Sequence, residues 1–145
     1  MGTFDAHQSD LYRLREVLRT GPNGVVVELP EVGWLVSMER EPGPHDGPDA
    51  FVRAVMFRCS GSLQNAINPD RRAVTSGNQP DVVPAAIFEA LAAELRRAIL
   101  SADEVELPGV GLFRVTRPRR GRQGTNVMNF RCDETLRRRA QPRPN

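Results

Sequence analysis

Apolar residues recur at helical spacing in the second half of the chain. Ile87, Leu91, Leu95 and Ile99 follow one another every four residues, with Phe88 beside them. That spacing draws an apolar stripe along one side of a helix, expected over roughly 84–100. Asp81 offers an acidic start, and Pro84 suits a first turn. A corresponding helix is expected from about Ser9 to Arg19 in the first half. Behind each helix come two short apolar segments broken at a Val-Gly pair, Val32-Gly33 and Val110-Gly111. They read as two strands bent tightly, with the glycines permitting a bulge or a close approach of another backbone. A third strand carries a Phe, Phe57 or Phe130. Ser60 and Asp133 then suit the N-caps of short closing helices whose buried sides carry Leu63 and Leu136.

The two halves are one pattern written twice. Val27-Glu28-Leu29-Pro30-Glu31-Val32-Gly33-Trp34-Leu35 matches Val105-Glu106-Leu107-Pro108-Gly109-Val110-Gly111-Leu112-Phe113 at an offset of 78. Phe57-Arg58-Cys59 matches Phe130-Arg131-Cys132 at an offset of 73, and each Phe has a Leu six residues on. Upstream, Glu16-Val17-Leu18-Arg19 aligns with Glu94-Leu95-Arg96-Arg97, again at 78. The expected organisation is an α+β fold with unit one over residues 1–68, a linker over 69–80, unit two over 81–140 and a tail over 141–145. The hairpin tips fall at Glu41–Asp49 and Pro118–Thr125, and polar residues and turn formers fill Asp70–Gln79. Leu35, Phe57, Phe113 and Phe130 are the expected core.

Composition narrows the chemistry. The chain has 145 residues, 26 % of them charged, with a mean hydropathy of −0.43. No run of eighteen apolar residues suggests a membrane span, and Met1 to Asp10 lacks the basic and apolar regions of a secretory signal. A cytoplasmic protein is the expectation. Cys59 and Cys132 are too few for a disulfide scaffold. With the two histidines they make no zinc spacing, so they are expected as small buried, reduced and unligated thiols. Gly109-Val110-Gly111 lacks the third glycine of a dinucleotide loop. No nucleophile–base set or carboxylate pair stands out, so neither an enzyme nor a cofactor nor a small-molecule substrate is expected.

All twenty basic residues are arginine. Residues 1–70 hold six Arg against ten acids, net −4, whereas residues 71–145 hold fourteen Arg against eight acids, net +6. Arginine presents a fork that suits phosphates and base edges, so the charge split points to an anionic partner for the second half.

Three segments of unit two carry a family resemblance: Glu106-Leu107-Pro108-Gly109-Val110-Gly111-Leu112-Phe113, then Arg117-Pro118-Arg119-Arg120-Gly121-Arg122, then Phe130 with Leu136. They resemble the bacterial HU and integration host factor family, which shows a glycine-rich strand turn after a long helix, a basic arm, and a Phe-to-Leu step into a final helix. The resemblance covers about residues 81–140; unit one shares the strand turn and the Phe-to-Leu step and lacks the basic arm. It implies two HU-like units on one chain, standing where the family uses two subunits. It further implies sequence-tolerant, architectural binding of double-stranded DNA by a nucleoid-associated protein. The family's first helix is lost or reduced here, the arm is short, and the proline that wedges between base pairs has no counterpart. Bending by intercalation is therefore not expected.

The candidate DNA-binding residues are Arg114, Arg117, Arg119, Arg120 and Arg122 in the unit-two arm and Arg137, Arg138 and Arg139 after Leu136. The acidic, proline-rich tip of unit one would repel phosphates. Trp34 lies on the strand face away from Leu35; it either covers apolar surface or contacts a partner protein. The rival reading is an HU-like scaffold reused for protein–protein assembly without DNA.

Overall fold

A computed structural model describes residues 2–40, 52–69, 80–118 and 124–138. After a short 3-10 turn (Asp5–His7), helix α1 (Gln8–Thr20) buries Leu11, Leu14 and Leu18. Strands β1 (Val25–Leu29), β2 (Gly33–Glu39) and β3 (Arg53–Cys59) follow, then α2 (Gly61–Ala66). A two-residue strand β4 (Ala86–Ile87) precedes α3 (Glu89–Ala102). Strands β5 (Glu104–Leu107), β6 (Gly111–Thr116) and β7 (Val127–Cys132) lead to α4 (Glu134–Arg137). The fold is mixed α+β, and the order helix, three antiparallel strands, helix occurs twice.

The second helix starts later than its apolar spacing predicts. Ala85 donates its N–H to the Val26 carbonyl at 2.8 Å, and Phe88 donates to Glu28 at 3.2 Å. These bonds draw the backbone into the sheet, where β4 pairs parallel with Val27 and Glu28. The first residue of the apolar stripe, Ile87, is thus a strand residue, 51 % exposed, and Phe88 enters the core in its place. Asp81 and Pro84 lie ahead of this strand, outside the helix. The first sheet has four strands in the order β3-β2-β1-β4, where three were expected, and the second has the order β5-β6-β7.

Strand register repeats residue for residue. Gly33 opposes Cys59, Trp34 opposes Arg58 and Leu35 opposes Phe57. Gly111 opposes Cys132, Leu112 opposes Arg131 and Phe113 opposes Phe130. The bend before each central strand is closed alike, by Val32 N–H to Leu29 O and by Val110 N–H to Leu107 O, both 2.9 Å. The glycines are required by close approach. A Cβ at Gly33 would lie 2.1 Å from the Arg58 carbonyl oxygen, and one at Gly111 would lie 2.5 Å from that of Arg131.

One apolar cluster joins both halves, with Leu14, Leu18, Leu35 and Leu63 packed among Leu91, Leu95, Phe113 and Leu136. Leu35 and Phe113 are fully buried. Phe57 and Phe130 are half-buried and pack against the cluster from its edge, which corrects their expected place in its interior. The reason is position: both lie on β3 and β7, the last strands of their sheets. Their rings close a trio with Phe113, at centroid distances of 5.1 Å from Phe57 and 4.9 Å from Phe130. The contact geometries are edge-on or tilted, which the ring quadrupole favours.

Ser60 and Asp133 cap the short helices as their chemistry predicts. Ser60 Oγ accepts the Leu63 N–H at 3.1 Å, and Asp133 Oδ1 accepts the Thr135 N–H at 2.8 Å. The expected hairpin tip of unit one, most of that of unit two, the Asp70–Gln79 linker and the 141–145 tail lie outside the described residues.

Candidate nucleic-acid interface

Strands β6 and β7 form the hairpin that leads into the arginine-rich segment. Alternation along β6 sends Phe113 and Val115 inward and Arg114 and Thr116 to the exposed face. Arg117 follows directly. Each of these arginines meets a carboxylate at the base of the arm. Arg117 Nη2 donates to Asp103 Oδ2 at 2.7 Å, and Arg114 Nε lies 3.8 Å from Glu104 Oε2. Both pairs are well exposed. Arg119, Arg120, Arg122 and Arg139 lie outside the described residues.

Arg137 and Arg138 belong to the end of α4. Arg138 Nη2 donates to Glu134 Oε2 at 3.1 Å, one helical turn back. The Arg137 carbonyl accepts the Val52 N–H at 2.7 Å, so α4 of the second half holds the start of β3 in the first. A comparable anchor runs the other way. Asn126, just ahead of β7, donates its N–H to Asn68 Oδ1 at 2.6 Å and its Nδ2 to the Ile67 carbonyl at 2.8 Å. Its own carbonyl accepts from Gln64 Nε2 and Asn68 Nδ2, both at 3.0 Å. Each returning strand is therefore tied at its root to the closing helix, or the turn just after it, in the other half.

Neither Asn68 nor Asn126 stands out in the sequence, because a polar residue beside a turn signals only a loop. Arg15 and Arg96 are equally silent there. Arg15 Nε donates to the Gly109 carbonyl at 3.1 Å, and Arg96 Nη1 donates to the Glu31 carbonyl at 2.6 Å. In the first half a buried polar group adds to this. Arg53 donates to the Gly21 carbonyl at 2.6 Å and to Ser37 Oγ at 3.3 Å, and Ser37 Oγ donates to the Leu18 carbonyl at 2.7 Å. The guanidinium satisfies the cap carbonyl of α1, Ser37 satisfies that of Leu18, and the positive charge suits the negative end of the helix dipole.

Trp34 is half-buried on the face of β2 away from Leu35, and its Nε1 donates to Glu28 Oε1 at 3.3 Å. Glu28 and Arg58 flank it across the strands, and apolar residues follow on the same face further along β2. Val36, Met38 and Met56 occupy positions whose register equivalents in the second half are Arg114, Thr116 and Asn129. Met38 and Met56 are among the exposed large apolar residues.

Cys59 and Cys132 are free and half-buried, less enclosed than expected, because both stand on the end strands of their sheets. Burial pushes each thiol up to about 11, against the partial opposition of Arg96 at Cys59 and Arg137 at Cys132. A thiol so shifted is a poor nucleophile at neutral pH. The Asp133 carboxyl is held below its ordinary range, chiefly by the hydrogen bond from the Thr135 hydroxyl. A cavity of about 600 Å³ lies between the N-terminal turn and α3–β5, its wall including Asp5, Glu94, Arg97, Glu104 and Glu106. Arg97 is paired there with Glu94. Among the described residues no group of three or more His, Cys, Asp or Glu could hold a metal ion. Among them, too, no helix is long and apolar enough to cross a membrane.

Searched against protein-family models, curated proteins and solved structures, the chain finds no significant match.

Proposed function

We propose that the chain is an HU-like pair of units, related by an approximate twofold axis, that binds double-stranded DNA with little regard to sequence. The observation that carries this reading is the β6–β7 hairpin of the second sheet, which runs two residues beyond its pairing with β5 and is followed in sequence by Arg117-Pro118-Arg119-Arg120-Gly121-Arg122. The repeated register and the reciprocal anchors at Val52 and Asn126 support the pairing of units. Arginine forks neutralise phosphates without reading base edges, so affinity comes from counterion release and from DNA shape. The unit-two arm does the gripping. The acidic first unit adds repulsion, and no wedge proline drives a kink. The protein acts as a nucleoid-associated binder rather than an enzyme.

Replacing Arg117, Arg119, Arg120 and Arg122 with Ala tests this. Binding to duplexes of unrelated sequence should weaken alike, and the log–log salt slope should flatten by up to roughly 0.9 per lost phosphate contact. Unchanged binding would sink the reading.

A second reading is favoured by the exposed Met38 and Met56, which share a sheet face with the half-buried Trp34 and an already buried Val36. A half-solvated antiparallel sheet ordinarily carries polar residues on its outer side, as the second half does with Arg114, Thr116 and Asn129. Under this reading the first unit docks a partner protein. It predicts that Met38→Ser/Met56→Ser leaves DNA affinity unchanged and abolishes capture of that partner.

A further inference from the structure

Asp103 is an unexpected residue at its position. It closes α3 with a left-handed backbone, φ 62, its N–H donating to the Ile99 carbonyl at 3.1 Å. Glycine and asparagine are the usual choices there. A carboxylate also faces the negative end of the helix dipole, which is unfavourable. Its carbonyl accepts the Val115 N–H at 2.8 Å, so the residue is fixed against the root of the arm. From that place its carboxylate takes Arg117, while the next residue, Glu104, sits directly across from Arg114 in the strand pairing. The first half provides an internal comparison. The register equivalents of Glu104 and Arg114 are Val26 and Val36, a pair that carries neither the acid nor the base.

We propose that Asp103 and Glu104 form an intramolecular anion clamp that occupies Arg117 and Arg114 and must be displaced by the phosphates of bound DNA. This rests on the DNA-binding reading above. The Asp103 carboxylate stands where a phosphate oxygen would otherwise accept from Arg117, and Glu104 offsets the charge of Arg114 from 3.8 Å without a hydrogen bond. The clamp lowers affinity and shifts it toward ligands with dense phosphate charge. Both pairs are exposed, so each holds its arginine weakly and yields readily.

The test uses the full chain carrying D103N/E104Q. Asn tolerates the left-handed cap and Gln keeps the shape of Glu, so the fold is retained; circular dichroism checks it. Affinity for a mixed-sequence duplex at low salt should rise by about threefold to tenfold, the range expected from releasing two exposed pairs. The salt slope should stay close to the parent's, because displacement of the clamp lets the same arginines reach the same phosphates in both proteins. In an R114A/R117A background the same two acid substitutions should give no gain. Equal affinity of D103N/E104Q and the parent, when the parent binds, overturns the clamp and leaves the DNA reading intact. A gain that persists without the two arginines also overturns it, by showing an effect of net charge alone. If neither protein binds at low salt, the DNA reading fails and the clamp with it.

Discussion

Arg15 reaches from the first helix to the carbonyl of Gly109, 3.1 Å away, in the strand turn of the second half. Arg96 makes the counterpart bond from α3 to the carbonyl of Glu31 at 2.6 Å. Glu31 and Gly109 hold the same place in the repeated Val-Glu-Leu-Pro block, and both have a positive φ, 64 and 72. The left-handed turn aims each carbonyl at the other half's helix. These bonds set the halves against each other, beyond what the shared apolar cluster supplies.

Arg15→Ala should therefore destabilise the fold by about 1.5–3 kcal/mol, the range for a hydrogen bond from a charged donor. Arg96→Ala should cost less, because its bond is exposed. Urea unfolding monitored by Trp34 fluorescence measures both. Equal stability of Arg15→Ala and the parent would remove this bond from the account.

The strand blocks were legible because the tight bend fixes residue types: a glycine under a crossing backbone and an apolar residue beside it. Helix alignment was not. Glu16–Arg19 matches Glu94–Arg97 in letters at an offset of 78, yet Arg15 and Arg96, the residues with matching roles, are 81 apart. The difference lies in the connection: residues 21–24 separate α1 from β1, and Asp103 alone separates α3 from β5. Glu, Leu and Arg all favour helices, so a chance match along a helix carries little weight. The late start of α3 was hidden for another reason. Apolar spacing cannot distinguish a last strand residue from a first helical one, and only the bonds to β1 decide it. Of the predicted arginine site, the sequence revealed the basic residues but not the carboxylates that hold Arg114 and Arg117.

Gly111→Ala should cost about 1–3 kcal/mol, the usual penalty for forcing an atom into filled space. Gly33→Ala should cost more, because its φ of 153 adds backbone strain to the contact with the Arg58 carbonyl. Thermal unfolding of the two variants gives the comparison. A Gly33→Ala protein as stable as the parent would contradict the close packing of β2 on β3.

Phe113→Ala should destabilise by about 3–5 kcal/mol, as for a fully enclosed aromatic ring. Phe130→Ala should cost less, since that ring is half-buried at the cluster edge. The ranking in denaturant midpoints is the observable, and the reverse order would contradict the core described above.

The thiols should alkylate slowly in the native protein near pH 8 and rapidly in denaturant. Their neutral forms are favoured by the fold, so their contribution to stability is complete below the ordinary thiol value of 9.0. It is lost as pH rises from there through about 11. The parent should lose more stability across that window than a Cys59→Ala/Cys132→Ala protein does. Equal losses would contradict the burial of the thiols.

The most direct measurement is the affinity of the intact chain for a mixed-sequence DNA duplex as a function of salt. Neutralisation of phosphates by the arm arginines predicts measurable binding at low salt. It also predicts a log–log slope of about −3 or steeper, at roughly 0.9 per phosphate contacted. Absence of binding at low salt, or a slope near zero, would contradict the account.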